Sequence, residues 1–186
     1  MRIISGKARG TKLYTLNGNN TRPTLDRAKE ALFNIIGNGI IKSNFLDLFG
    51  GSGAIGLEAA SRGAKSVIIS DKSKQAIEII KKNTIKTHLE EVVNVYNLDF
   101  KECLNKIKDK QDYIFLDPPY ESKLLIESLE LIIKKDLLEK EGTIILETDC
   151  AKTVENQLKN LNIETIDKRK YGRIEFIFLK MPEGNN

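Results

Sequence analysis

From Ser43 onward the chain alternates between short apolar runs and longer amphipathic stretches. The short runs, at 45–49, 66–70, 92–96, 113–116, 143–147, near 164–166 and at 174–179, predict strands. The stretches at 54–62, 73–86, 100–107, 122–134 and 153–161 carry apolar residues at helical spacing and predict helices. Strands this apolar, each followed by a helix, predict a parallel sheet covered on both faces, hence a doubly wound, mostly parallel α/β fold. The last two runs are separated by Tyr171-Gly172-Arg173, which predicts an antiparallel hairpin at one edge. Upstream, Thr24 is placed to cap a helix running to about Ile36, with Leu25, Ala28, Leu32 and Ile36 on one face and Gly37 and Gly39 ending it.

The first 23 residues follow a different pattern. A short strand at 2–5, a Gly6-Lys7-Ala8-Arg9-Gly10 turn, a second short strand at 12–14 and an irregular Asn/Gly stretch at 17–20 predict a small β-hairpin arm. The expected division is an arm over 1–23 and one α/β domain over 24–186, a size that buries a full core. Charge concentrates at this end. Of the formal net charge of +4, residues 1–29 carry +6 and the remainder −2. The cations of residues 1–29 are Arg2, Lys7, Arg9, Lys12, Arg22, Arg27 and Lys29, opposed only by Asp26. A basic arm on a near-neutral body suggests contact with a polyanion, with a solvated cationic surface as the plainer alternative. Six formal charges and little apolar area predict a surface appendage or a terminal tail without core residues. The two cysteines, Cys103 and Cys150, are far apart and without His neighbours, so neither a disulfide framework nor a zinc site is expected. No apolar run approaches a membrane span. A cytoplasmic monomer that binds no metal and no membrane is the expectation.

Two stretches carry candidate chemistry. In the first, Tyr113-Ile114-Phe115-Leu116 is followed by Asp117-Pro118-Pro119-Tyr120, and prolines cannot continue a sheet ladder. The strand must therefore stop at a rigid corner offering a carboxylate, a carbonyl and an aromatic face. An exocyclic amine on a nucleobase has two N–H donors and a flat ring, which this corner complements. An ordinary strand stop uses the same residue types. In the second, Asp47-Leu48-Phe49-Gly50-Gly51-Ser52-Gly53 ends a strand in glycines and opens a helix, as in loops that let a nucleotide approach backbone closely. Gly51 to Gly56 satisfies the dinucleotide spacing, and Asp71 stands where a ribose acceptor is wanted. Both NAD and S-adenosyl-L-methionine carry such a ribose. Asp47, just before the glycines, would face a pyrophosphate badly but can accept from the α-ammonium of S-adenosylmethionine. A hydride-transfer enzyme has no need of the Asp117 corner, so S-adenosylmethionine is favoured. After the third strand, Asp99 can accept from an adenine amine with Leu98 or Phe100 covering the ring, or can simply cap the next helix. His88, the single histidine, lies away from both loops.

With these residues assembled, the chain resembles the bacterial 16S rRNA (guanine(966)-N(2))-methyltransferase family nearly end to end. The stretches that carry the resemblance are RIISGKARGTKL, TRPTLDRAKEALFN, LDLFGGSGAIGLEAASRGA, the DPPY corner and KYGRIEF. The glycine loop and DPPY are shared by many amino-methyltransferases. The arginine-rich opening joined to TRPTLDRAKEALFN is the more particular part. The resemblance implies a seven-stranded, Rossmann-like methyltransferase sheet with its last strand antiparallel. It implies S-adenosylmethionine held by Asp47, Phe49, Gly50, Gly51, Gly53, Asp71, Lys72, Asp99, Phe100 and Asp117, and catalysis by Asp117, Pro118, Pro119 and Tyr120. It also implies 16S rRNA, within an assembling small ribosomal subunit, as partner of Arg2, Lys7, Arg9, Lys12, Arg22, Thr24 and Arg27. Arg173 departs from the threonine or small residue that typically follows Tyr-Gly in the family, which leaves the role of the C-terminal edge open. A methyltransferase acting on DNA or another RNA, and a non-catalytic RNA-binding assembly factor, are the alternatives.

Overall fold

A computed structural model describes residues 1–16, 23–119 and 123–182, the side chains of residues 23–25 excepted. The elements in chain order are α1 (Pro23–Ile36), a short 3-10 turn (Gly37–Ile40), β1 (Asn44–Asp47), α2 (Ala54–Ser61), β2 (Ser66–Ser70), α3 (Lys74–Thr87) and β3 (Val93–Tyr96). There follow α4 (Phe100–Lys106), β4 (Gln111–Leu116), α5 (Leu124–Lys134), β5 (Leu138–Thr148), α6 (Ala151–Leu158), β6 (Glu164–Tyr171) and β7 (Ile174–Lys180). The strands form one sheet in the order β3-β2-β1-β4-β5-β7-β6. β1 to β5 pair in parallel, and β7 runs antiparallel to both β5 and β6. The fold is the doubly wound, Rossmann-like sheet that the alternation of apolar runs predicted. Its hairpin is inserted with β7 inside, leaving the polar β6 at the edge.

The two-residue period of the strands sorts the core into two layers. Phe45, Val67, Ile69, Phe115, Ile145, Phe176 and Phe178 join Ala28, Leu32 and Phe33 of α1, Leu57 of α2 and Ile80 of α3 in one buried cluster. Leu46, Ile114, Leu116, Ile144, Leu146, Ile177 and Leu179 join Leu104 of α4, Leu129 and Ile132 of α5 and Leu158 of α6 in the other. Helices thus cover both faces, as parallel strands require.

The expectation that the N-terminal arm lacks core residues is corrected. Ile3, Ala8 and Leu13 are all buried in the first cluster. The expected hairpin is present in short form, an antiparallel bridge of Arg2 to Lys12 flanked by Ile3 N–H to Thr11 O (3.0 Å) and Leu13 N–H to Met1 O (3.0 Å). What fixes the arm is Glu58 of α2, which is fully buried. Its Oε2 accepts from Ile4 N–H (2.8 Å) and its Oε1 from Ser5 N–H (3.0 Å). The same carboxylate pairs with Lys29 Nζ of α1 (3.0 Å) and Arg62 Nε (2.8 Å). Lys29 also donates to the Arg2 carbonyl (2.6 Å), so this cation belongs to the interior rather than to the basic surface. Burial lowers its pKa, with Glu58 opposing the shift. Ser61 accepts from Ala8 N–H and donates to Ser5 O, and Asn83 exchanges two hydrogen bonds with the backbone of Tyr14. At Gly6, φ is +85° and an added Cβ would lie 1.8 Å from the Ser61 carbonyl oxygen, so this turn admits only glycine.

Other differences are local. α1 begins at Pro23, so Thr24 lies within its first turn and does not cap it; proline at the first helical position is pre-set for helix and has no N–H to leave unpaired. β5 starts five residues earlier than its apolar run, through the exposed Glu139, Lys140 and Glu141, and β6 extends through largely exposed positions to Tyr171. The Asn/Gly stretch at 17–20 and the expected helix start at Ser122 lie outside the described residues.

Removing the Glu58 carboxylate strands Lys29 and two backbone N–H groups in the interior. Glu58→Ala is expected to cost about 3–5 kcal/mol in denaturant unfolding. A cost within experimental error of zero would mean that the arm is held by its apolar contacts alone.

Candidate active site

The sheet reverses its strand order on either side of β1 and β4, and an open α/β sheet binds ligands at the carboxyl ends of strands at such a point. Four acidic residues stand there, each placed by a strand. Asp47 ends β1, and its Oδ2 accepts from Gly56 N–H in the first turn of α2 (3.0 Å). Asp71 follows β2; its Oδ2 accepts from Gly51 N–H (2.9 Å) and its Oδ1 from Ser73 N–H (2.8 Å). Asp117 follows β4, and Glu147 lies in β5 beside it, one position beyond the paired residues Leu116 and Leu146. Between the first two carboxylates runs the glycine loop. Gly50 N–H donates to Ser70 O (2.8 Å), and Gly53 takes the left-handed conformation (φ 78°) that starts α2. Asn97 braces the facing loop by donating to the carbonyls of Asp71 and Lys72.

Two cavities flank Asp117. The larger, about 490 Å³, is lined by Phe49, Gly51, Asp71, Lys72, Leu98, Asp99, Phe100, Asp117, Pro118 and Pro119, with Leu48 and Leu124. Its volume and mostly apolar walls with a few polar groups are those of a small-molecule site. The Phe49 and Phe100 rings, 6.3 Å apart, form part of its wall. Asp71 keeps acceptor capacity beyond its two backbone bonds, since an ionised carboxylate offers about four acceptor positions. This donor and acceptor set fits an adenosine moiety. The smaller cavity, about 180 Å³, adjoins it through Phe49, Gly51 and Asp117, and is walled by Phe115, Ile174 and Phe176 with Asp47 and Glu147. Lys29, Ala28 and Met1 line its other side.

Burial pushes Asp47 up to about 7, with the charges of Asp117 and Asp71 adding to the shift and the Gly56 N–H opposing it. Asp117 is also raised by burial. Glu147 is raised by burial and then by the neighbouring Asp117 and Asp47. By the two-residue period, Asp47, Asp117 and Glu147 follow Phe45, Phe115 and Ile145, so all three lie on the sheet face that carries α1 and the arm. A site this rich in acids and poor in neutralising partners suits a cationic or amine-bearing ligand.

Of the residues singled out in the sequence, Phe49, Gly51, Asp71, Lys72, Asp99, Phe100, Asp117, Pro118 and Pro119 line the larger cavity, and Asp47 and Gly50 line the smaller. Gly53 lies behind them at the α2 start. Asp99 is a helix cap: it accepts from Glu102 N–H (2.8 Å), and Glu102 returns a bond to Asp99 N–H (3.1 Å). It faces the cavity in that role. Arg2, Lys7, Arg9, Lys12 and Arg27 are exposed. Arg22, Tyr120 and the side chain of Thr24 lie outside the described residues. His88 ends α3, exposed and left-handed (φ 55°). Glu147 and Lys29 were not assigned to the site from sequence; an acid closing the strand adjacent to the Asp117 strand was the available signal for Glu147.

The family described as "Conserved hypothetical protein 95" has a model that matches residues 1–180. The chain belongs to this family. Curated relatives named "Ribosomal RNA small subunit methyltransferase D" are 41% identical over 154 residues in Haemophilus influenzae and 36% identical over 160 residues in Escherichia coli. The matches cover 80% of this chain and 79% of the first relative, and 85% and 77% for the second. The solved structure of yhhF from Escherichia coli superposes with a TM-score of 0.83 at 29% identity, covering 97% of both chains. The family therefore includes rRNA methyltransferases, and the Rossmann-like sheet described above is its fold.

The raised Asp47 has a stability signature. Its folded pKa is above its unfolded value of about 4, so its contribution is complete below that pH and is lost as pH rises through about 7. Relative to the ligand-free wild type, Asp47→Asn should therefore gain thermal stability as pH rises from about 5.5 to about 8.5. A pH-independent difference in melting temperature between the two proteins would show that Asp47 ionises normally.

Proposed function

We propose that this protein transfers a methyl group from S-adenosyl-L-methionine to the N(2) amine of a guanine in 16S rRNA, at position 966 by the family resemblance. The observation that carries this reading is the place of Asp117. Its carboxyl has no hydrogen-bond donor among the described residues and stands where the nucleoside-sized cavity meets the smaller acidic one. The names of the relatives support rRNA as the substrate.

When bound, the cofactor supplies an activated methyl on a sulfonium. Asp71 and Asp99 would accept from its ribose and adenine, with Leu98, Phe100 and Pro118 against the ring. Asp47 would accept from its α-ammonium. Placing positive charge beside Asp47, Asp117 and Glu147 returns all three toward the ionised state, so cofactor and site stabilise one another. At the target base, the N(2) lone pair is delocalised into the ring and the nitrogen is a poor nucleophile. Asp117 Oδ and the Pro118 carbonyl would accept its two hydrogens, favour a pyramidal nitrogen and aim the lone pair along the line of displacement. The methylated nitrogen is cationic and acidic, so its proton can pass to Asp117 or to water without a dedicated base of high pKa. Tyr120 would stack on the base, worth roughly 1–3 kcal/mol, comparable to the cost of extruding it. Exposed Arg2, Lys7, Arg9, Lys12 and Arg27, with Arg22 and Thr24, would hold the RNA backbone and set position without reading sequence.

Asp117→Ala should lower methyl transfer to small-subunit RNA by about a thousandfold or more while changing the cofactor dissociation constant less than about tenfold. Joint loss of transfer and cofactor binding would make Asp117 a structural residue instead. For the basic surface, truncation is uninformative because Ile3, Ala8 and Leu13 are core. Replacing Lys7, Arg9 and Lys12 together with glutamine should weaken RNA binding and reduce its salt slope by roughly one per lost phosphate contact. An unchanged slope would remove the arm from the RNA interface.

A further inference from the structure

Glu147 pairs with Phe176 through the β5–β7 ladder, but its side chain makes no bond that holds the fold together. Among the described residues no donor is hydrogen-bonded to its carboxyl and no cation pairs with it, yet it is largely withdrawn from water. An acid kept in that condition costs stability and calls for a ligand. Its position says which one. Glu147 does not line the nucleoside-sized cavity, which extends toward β2 and β3. It lines the smaller cavity on the arm side, and also a groove of about 390 Å³ with Pro118, Pro119, Lys123, Thr148 and Cys150. With the Asp47 end of the smaller cavity given to the cofactor, the groove along Pro118 and Pro119 is the space left for the methyl acceptor. The parallel pairing of β4 with β5 sets the Asp117 and Glu147 backbones roughly one strand spacing apart, ~4.8 Å.

We propose that Glu147 selects guanine, accepting the N1–H of the target base while Asp117 holds the neighbouring N(2) amine. This rests on the methyl-transfer reading above. The Watson–Crick edge of guanine presents the N(2) amine, the N1–H donor and the O6 acceptor in sequence. A carboxyl beside Asp117 meets the second of these. A purine that carries a 2-amine but no N1–H, such as 2-aminopurine, presents a lone pair to the carboxyl in place of a donor. Sites built on paired buried groups reject such mismatches far better than sites built on shape.

The test uses the whole protein and 16S rRNA, naked or in small-subunit particles, whichever accepts methyl. The methylated guanine is replaced by 2-aminopurine, and the rate of transfer to the 2-amine is compared. Wild type should prefer guanine by about 10- to 100-fold. Glu147→Leu should lose that preference by slowing on guanine, whereas Glu147→Gln, whose amide oxygen still accepts N1–H, should keep its rate on guanine. Equal rates on the two bases with wild type, or an undiminished preference in Glu147→Leu, would overturn the role of Glu147 and leave the methyl-transfer reading standing. Transfer to neither base by wild type would overturn both.

Discussion

The Glu58 carboxylate is the constraint on which the rest of the molecule depends. It is fully buried and meets two backbone N–H groups, Lys29 and Arg62. An interior carboxylate is tolerable only when its acceptor positions are filled, and here the arm, α1 and α2 each supply part of the filling. Three elements distant in sequence are thereby fixed to one point above the sheet. The apolar residues of the arm, Ile3, Ala8 and Leu13, pack on the sheet face that carries Asp47, Asp117 and Glu147, and Met1, Ala28 and Lys29 line the same cavity as those acids. A polyanion held by the arm would present its bases where the sheet presents its carboxyls.

The sheet supplies the complementary half of the arrangement. Parallel pairing brings the carboxyl ends of β1, β4 and β5 level, so acids at the ends of three strands converge although the chain separates them. Burial raises their pKa values, with neighbouring carboxylates adding to the shift at Asp47 and Glu147, and the ligand-free site is left short of positive charge. A sulfonium, an ammonium and a base amine are the kind of groups that relieve this. Meanwhile Asp71 is bound to the glycine loop and the α3 start through both oxygens, so the wall of the larger cavity is organised before any ligand arrives.

Much of this was legible in the sequence wherever burial writes a period. The strand at 66–70 was placed to the residue because Val67, Ile68 and Ile69 face helices on both sides, and the Pro118-Pro119 stop marked the end of β4. β6 was under-read because an edge strand with solvent on it needs no apolar alternation, and the charged start of β5 hid the strand for the same reason. The arm misled in the other direction. Its charges dominate the composition, while Ile3, Ala8 and Leu13 are too widely spaced for any period to show. Asp47, Asp71 and Asp117 could be found because each adjoins a glycine or proline signal. Glu147 is marked only as an acid closing an apolar strand, and the Glu58–Lys29 pair has no local signal; the register of β4 with β5 and the packing of α1 on α2 give them meaning.

The account stands or falls on one measurement: transfer of labelled methyl from S-adenosylmethionine to 16S rRNA, naked and in small-subunit particles, taken from cells lacking this protein, followed by nucleoside analysis. A single N(2)-methylguanosine is the predicted product, and the better substrate of the two identifies the assembly stage that the basic face recognises. Label in a different nucleoside, or no transfer to either substrate while cofactor binding is intact, would contradict the account.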